Sequence, residues 1–127
     1  MREILFRGKR TDTGEWVEGD LLYNRIDGRR NEMRIGDIYF EQGNEIHGTA
    51  VYDVIPETVG QYIGLTDKNG KRIFEGDIVA FESHGYLPSI SAGVVVFKDG
   101  YYAVKRPQKY GDRFGYHRIG KVDKWQD

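Results

Sequence analysis

Short apolar segments, each bounded by Gly, Asn or Asp, recur every 8–14 residues along this 127-residue chain. Few windows hold apolar residues in helical register for three turns. Segments that short suit strands that reverse direction at each polar break. The spacing predicts strands near residues 4–7, 16–23, 34–40, 49–54, 61–65, 78–82, 93–98, 101–105 and 118–123. The kind of apolar residue agrees. Val and Ile number 21 against 9 for Leu and Ala, with 9 Tyr, and β-branched and aromatic side chains fit a pleated, half-buried surface. The 17 Gly are about twice the usual share of roughly 7% and mark tight turns that need positive φ. The expected class is mainly β, a small barrel or sandwich.

The clearest hairpin runs from Val94 to Val104 around Asp99-Gly100, a pair suited to the two positive-φ positions of a type I′ turn. Asp27-Gly28 and Gln42-Gly43-Asn44 are further turn signals. Residues 83–92, with Gly85 and Pro88, form the longest stretch without a strand pattern and read as an exposed loop. One internal similarity stands out. Thr11-Asp12-Thr13-Gly14-Glu15-Trp16-Val17-Glu18-Gly19-Asp20-Leu21-Leu22 parallels Thr66-Asp67-Lys68-Asn69-Gly70-Lys71-Arg72-Ile73-Phe74-Glu75-Gly76-Asp77-Ile78-Val79. A duplicated hairpin and an independent reuse of good turn chemistry both explain it. In either case Gly permits a bend entering a strand, and Asp can accept from backbone N–H groups there.

Composition sets the limits of the chemistry. With no Cys, there can be no disulfide framework, thiolate zinc site, iron–sulfur cluster or cysteine nucleophile. Val, Ile, Leu and Phe make up a quarter of the chain, enough for a core and against disorder. The first ten residues hold only three adjacent apolar positions, short of a secretory signal, and the longest apolar run is Val94-Val95-Val96-Phe97. A cytoplasmic protein with no membrane contact is the expectation. His47, His84 and His117 lie at least thirty residues apart, without metal-ligand spacing, so no metal or other cofactor is expected.

Asp20, Asp67, Glu75 and Asp77 are the carboxylates that could do acid–base work, as in a small carboxylate-dependent hydrolase. All sit beside glycines at predicted turns, where local hydrogen bonding is their ordinary task. Ser83, Ser89 and Ser91 lie in the expected loop without a nucleophile-elbow pattern. The balance leans away from an enzyme, with no catalytic residue assigned. Charge is more informative. The formal −1 conceals a net −5 over residues 41–67 and a net +4 over residues 101–127. The basic stretch interleaves cations with aromatics, and Lys105, Arg106, Lys109, Tyr110, Arg113 and Tyr116 are the candidate nucleic-acid contacts, since cations track phosphates while aromatics stack on bases. An amphipathic edge strand guarded by Lys gives the same pattern and is the more ordinary reading.

Three blocks carry a family resemblance: Phe6-Arg7-Gly8-Lys9-Arg10, then Trp16-Val17-Glu18-Gly19-Asp20-Leu21-Leu22, and above all the stretch from Val54-Ile55-Pro56-Glu57-Thr58-Val59-Gly60 through Glu75-Gly76-Asp77-Ile78-Val79. Together with Gly93-Val94-Val95-Val96-Phe97 and Ile119-Gly120 they resemble the YopX family over nearly the whole chain. The resemblance implies a phage or prophage protein of no established activity, mainly β, with an SH3-like barrel. On that basis the chain is expected to be one domain, with an N-terminal hairpin portion over about 1–55 and an SH3-like portion over 56–127. Residues 121–127 lack the Asn-Pro tail usual in the family. The expected function is a non-enzymatic binding module for a protein partner or a second copy of itself, acting in the host bacterial cytoplasm, with nucleic acid as the alternative partner.

Overall fold

The computed structural model describes residues 3–24, 32–41, 43, 45–83, 89–106, 116–119 and 122–124. Eleven strands and one 3-10 turn are described: β1 (Phe6–Lys9), β2 (Trp16–Asn24), β3 (Glu32–Glu41), β4 (Glu45–Asp53), the turn Pro56–Thr58, β5 (Gly60–Thr66), β6 (Arg72–Phe74), β7 (Ile78–Ser83), β8 (Ser89–Lys98), β9 (Tyr101–Lys105), β10 (Tyr116–Arg118) and β11 (Val122–Lys124). The chain divides into two compact units, Met1–Tyr62 and Ile63–Asp127. It is mainly β, with antiparallel pairing throughout the described registers and no closed barrel among the described residues.

In the first unit the strand order is β4-β3-β2-β1-β5, and an isolated bridge between Arg10 and Val54 ties the end of β4 back to the end of β1. The family-like block at residues 6–10 owes its glycine to packing. A Cβ at Gly8 would lie 3.1 Å from Ile35 Cδ1, 3.2 Å from Val54 Cβ and 3.3 Å from Val59 Cγ2. Ile35 and Val54 are buried there. A second close approach crosses the sheet, because a Cβ at Gly19 would meet the Gly36 carbonyl oxygen at 2.7 Å and one at Gly36 would meet that of Ala50 at 2.7 Å. Gly36 stands opposite a bulge. The β3–β4 register passes from Ile35↔Tyr52 to Asp37↔Thr49, so β4 carries one extra residue, and Ala50 takes φ of 48°. The sequence pattern placed the start of this strand at 49. Pairing with β3 extends it back to Glu45 across Gly48 and Thr49, where periodicity is lost.

The second unit holds the later half of β5 with β6, and a five-stranded sheet of order β10-β9-β8-β7-β11. Ile63, Ile73, Val79, Val95, Val104 and Val122 form its core, with Phe81, Tyr102 and Ile119 packed against them. The Asp99-Gly100 reading holds, since both residues take positive φ, 51° and 86°, between β8 and β9. The expected loop at 83–92 is different. β7 runs through Ser83, β8 starts at Ser89, and Ser83 pairs with Ser89, leaving 84–88 outside the described residues. Ser and Ala carry little strand preference of their own; the hairpin ladder supplies it. The expected strand at 118–123 is instead two short ones, β10 on β9 and β11 on β7. The Asp27-Gly28 turn lies outside the described residues, as do Gln42 and Asn44 beside Gly43, which takes φ of 88°.

The repeated motif proves similar in its turn and different beyond it. Both Thr-Asp segments close hairpins through a positive-φ glycine, Gly14 at 72° and Gly70 at 82°. Glu18-Gly19-Asp20 then continues straight within β2, where Asp20 Oδ2 accepts from the Ile38 N–H across on β3 at 3.1 Å. Glu75-Gly76-Asp77 instead reverses the chain between β6 and β7, with Gly76 at φ of 93° and Asp77 Oδ2 accepting from the Phe74 N–H at 2.8 Å.

Two substitutions test the packing. Ile73→Ala, at a fully buried site of the second unit, is expected to cost about 2–5 kcal/mol in urea unfolding. Gly36→Ala drives a methyl into backbone and is expected to cost about 1–3 kcal/mol. Wild-type midpoints in both variants would refute these contacts.

Candidate functional site

The suspected carboxylates come first, because the fold brings two of them to one lysine. Asp67 opens the turn after β5. Its Oδ1 accepts from the N–H groups of Asn69 and Lys71, both at 2.8 Å, and its Oδ2 accepts from the Lys124 N–H at 3.2 Å. Lys68 N–H donates to the Val122 carbonyl at 3.1 Å, so the same turn grips both ends of β11. The Lys124 ammonium then turns inward and lies 3.3 Å from Asp77 Oδ2, with both side chains buried, and 5.8 Å from the Phe74 ring centroid.

These environments set opposite titration behaviour. Burial pushes the Asp67 carboxyl up, but the N–H donors of Lys71, Lys124 and Asn69, helped by the Lys71 charge, outweigh it and hold it below the ordinary value. Glu75, half-buried in the neighbouring turn, is pushed up by burial. A hydrolase would need two of Asp67, Glu75 and Asp77 facing a substrate. Asp67 and Asp77 are instead buried, with oxygens taken by backbone donors and by Lys124. Asp20 is exposed on β2, spent on β3. Asp20, Asp67 and Asp77 act as fasteners.

Of the candidate nucleic-acid contacts, Lys109, Tyr110 and Arg113 lie outside the described residues. Lys105 is exposed at the end of β9 with Arg106 next to it, and Tyr116 stands directly across from Lys105 on β10. Lys98 Nζ sits 3.5 Å from the Tyr116 ring centroid. Among the histidines, His47 stacks on Tyr39 at 5.8 Å and lies 3.3 Å from Glu45, while His84 and the His117 side chain lie outside the described residues. Among the described residues, no group of three His, Asp or Glu gathers as a metal site.

Tyr116 also belongs to a feature that reading along the chain does not reveal. A groove of about 680 Å³ in the second unit is lined by Ile63, Leu65, Tyr101, Tyr102, Ala103, Tyr116 and Ile119. β5 supplies Ile63 and Leu65, β9 the Tyr-Tyr-Ala run after the Asp99-Gly100 turn, and the β10 segment Tyr116 and Ile119. Phe97 packs edge-on against Tyr102 at 5.1 Å. Leu65 and Tyr101 are half-exposed, and no lining residue among those described is charged. Such a surface can bury apolar and aromatic groups and offer tyrosine hydroxyls at its margin. The only sequence signal was the tyrosine pair at 101–102, since the other walls lie over thirty residues before it or fourteen after it.

Comparison with known proteins gives a family and a similar fold. A family model described as YopX protein matches residues 5–124. The crystal structure of protein EF1440 from Enterococcus faecalis is similar with a TM-score of 0.54 and 25% identity, covering 95% of this chain and 94% of that one. No curated protein matches. No helix among the described residues is long and apolar enough to cross a membrane.

The fasteners give two tests. Lys124→Met strands the buried Asp77 carboxylate and is expected to cost about 3–5 kcal/mol, with adding Asp77→Asn returning part of the loss. A cycle with no coupling would refute the pair. For pH, the depressed Asp67 value means its stabilisation is present above the unfolded value near 4 and lost as pH falls through the folded one. The raised Glu75 value has the reverse sign, so its contribution is present at low pH and lost as pH rises through the folded value. In thermal melts, Asp67→Asn should therefore flatten the acid limb, while Glu75→Gln should raise the melting temperature at neutral pH more than at pH 3. The opposite trends would overturn the assignment.

Proposed function

The chain belongs to the YopX family, and on that premise we propose that it is a non-enzymatic binding module for a protein partner, an accessory protein of a phage or prophage in the host bacterial cytoplasm. The groove carries this reading. Three tyrosines and three branched aliphatic side chains line one concavity, with half-exposed Leu65 and Tyr101 among them. Tyr brings large contact area at low entropic cost and is enriched where proteins meet. The fitting partner is an extended segment presenting apolar or aromatic side chains. The SH3-like character of the second unit belongs to the same proposal, supported by five antiparallel strands laid over a Val/Ile core.

Nucleic acid is the second reading, favoured by one observation: Lys98 lies over Tyr116 and Lys105 stands opposite it. One experiment separates the two. Immobilised wild-type chain should retain a stoichiometric protein from host lysate after nuclease treatment, and Leu65→Glu or Tyr101→Ala should reduce retention at least about tenfold. Retention unaffected by both variants would remove the groove from the account. Binding to single-stranded DNA or RNA that weakens steeply with salt would move the assignment to nucleic acid.

A further inference from the structure

The central strands β7 and β8 of the second unit carry apolar residues on both faces, and one face is already used by the core. Cross-strand pairing assigns the side chains. Val79, Phe81, Val95, Val104 and Val122 share the core face. The opposite face carries Ile78 beside Val94, Ala80 beside Ala92 and Ile90, whose register partner is Glu82; towards the Asp99-Gly100 turn it carries Val96 beside the fully buried Ala103 and Lys98 beside Tyr101. Ile90 is 78% exposed, Ile78 45% and Val94 40%. An antiparallel sheet with one face in water normally alternates apolar and polar residues, whereas a continuous run such as 94–97 belongs to strands covered on both sides. Contiguous exposed apolar surface of this kind marks an interface.

We propose that this outer face is covered by the same face of a second copy, making a homodimer by sheet-on-sheet packing. The charges at its flanks choose the partner and the symmetry. Lys105 lies on β9, in the row of Ile78 and Val94, while Asp123 lies on β11, in the row of Ala80 and Ala92. β8 is the middle strand. A two-fold axis parallel to β8 sets β9 and β10 of one copy over β7 and β11 of the other. Lys105 then approaches the partner's acidic flank and Asp123 the partner's basic flank, twice by symmetry. An in-plane axis perpendicular to the strands would instead set β9 over the partner's β9 and β11 over its β11, like flank over like. Lys68 also approaches Asp123, at 3.6 Å, but that pair is exposed and leaves the carboxylate reachable. With β8 ten residues long, β7 six, β9 five, and β10 and β11 three each, strand rise and spacing give a face of roughly 440 Å², about half the roughly 800 Å² per partner of a standard interface, which suits a weak association. A reversible dimer follows, aligned like the two layers of a β-sandwich.

The outer face meets the groove at Tyr101, Ala103 and Tyr116, so the decisive substitutions are placed on β8, outside the groove lining. Sedimentation velocity of the full chain between about 1 and 300 µM should show a concentration-dependent monomer–dimer equilibrium. Val94→Glu and Ile90→Glu should each leave a folded monomer at every concentration, Ile90 being the safer site because its side chain is mostly in water. Lys105→Glu and Asp123→Lys should each weaken association about tenfold, and their combination should recover it to within about threefold. A wild-type chain monomeric throughout, or a dimer that survives both glutamate substitutions, would overturn the proposal. A double charge reversal no better than the single ones would overturn the symmetry.

Discussion

The second unit depends on a lysine held at both its backbone and its tip. β11 is three residues long and, among the described residues, shares a strand ladder with β7 alone, too little to hold a strand by itself. Asp67 accepts its backbone N–H and Asp77 receives its ammonium, so a turn after β5 and a turn before β7 both close on Lys124. That closure carries Val122 into the core beside Val79 and Val95. Buried charge is costly unless paired and hydrogen-bonded, which makes the arrangement selective: Asp67 has three backbone donors, and Asp77 has a backbone donor as well as the cation.

The same accounting explains why the suspected carboxylates contribute shape. A carboxylate that serves chemistry keeps an oxygen available to a substrate or a water. Here the donors come from the protein's own turns, and the depressed Asp67 titration is the signature of a filled site. The surfaces that these fasteners hold in place are the tyrosine-lined groove and the outer sheet face, both in the second unit.

Much of the architecture was legible in the sequence, and the failures have physical causes. The Asp99-Gly100 hairpin could be read directly because a two-residue turn with both φ positive admits few residue pairs. β6, only Arg72–Phe74, was too short to show any period. The start of β4 was hidden by a bulge that puts Ala50, not glycine, at positive φ. The two Glu-Gly-Asp segments show the limit of local reading, since one tripeptide runs straight in β2 and turns the chain after β6. What separates them is tertiary: Gly19 is pressed against Gly36, whereas nothing lies within 4 Å of a Cβ built on Gly76. The groove was invisible for another reason, because its walls meet only after the strands have paired.

The Asp99-Gly100 turn acquires a second meaning once both faces of β8 are known to be apolar. In most strands a slip of one residue exposes the core set to water, and hydrophobicity corrects the error. On β8 such a slip exchanges Val95 for Val94 or Val96, so the valine run itself gives it little resistance. Alignment of this hairpin therefore rests on two local devices: the turn itself, and Gly93, whose missing side chain admits Val104 Cγ1 and the Lys105 carbonyl at 2.6 Å from where a Cβ would be. Fidelity of folding here is a matter of steric keying. Damage to either key would yield a chain of nearly native composition and compactness, mispaired along its central strand.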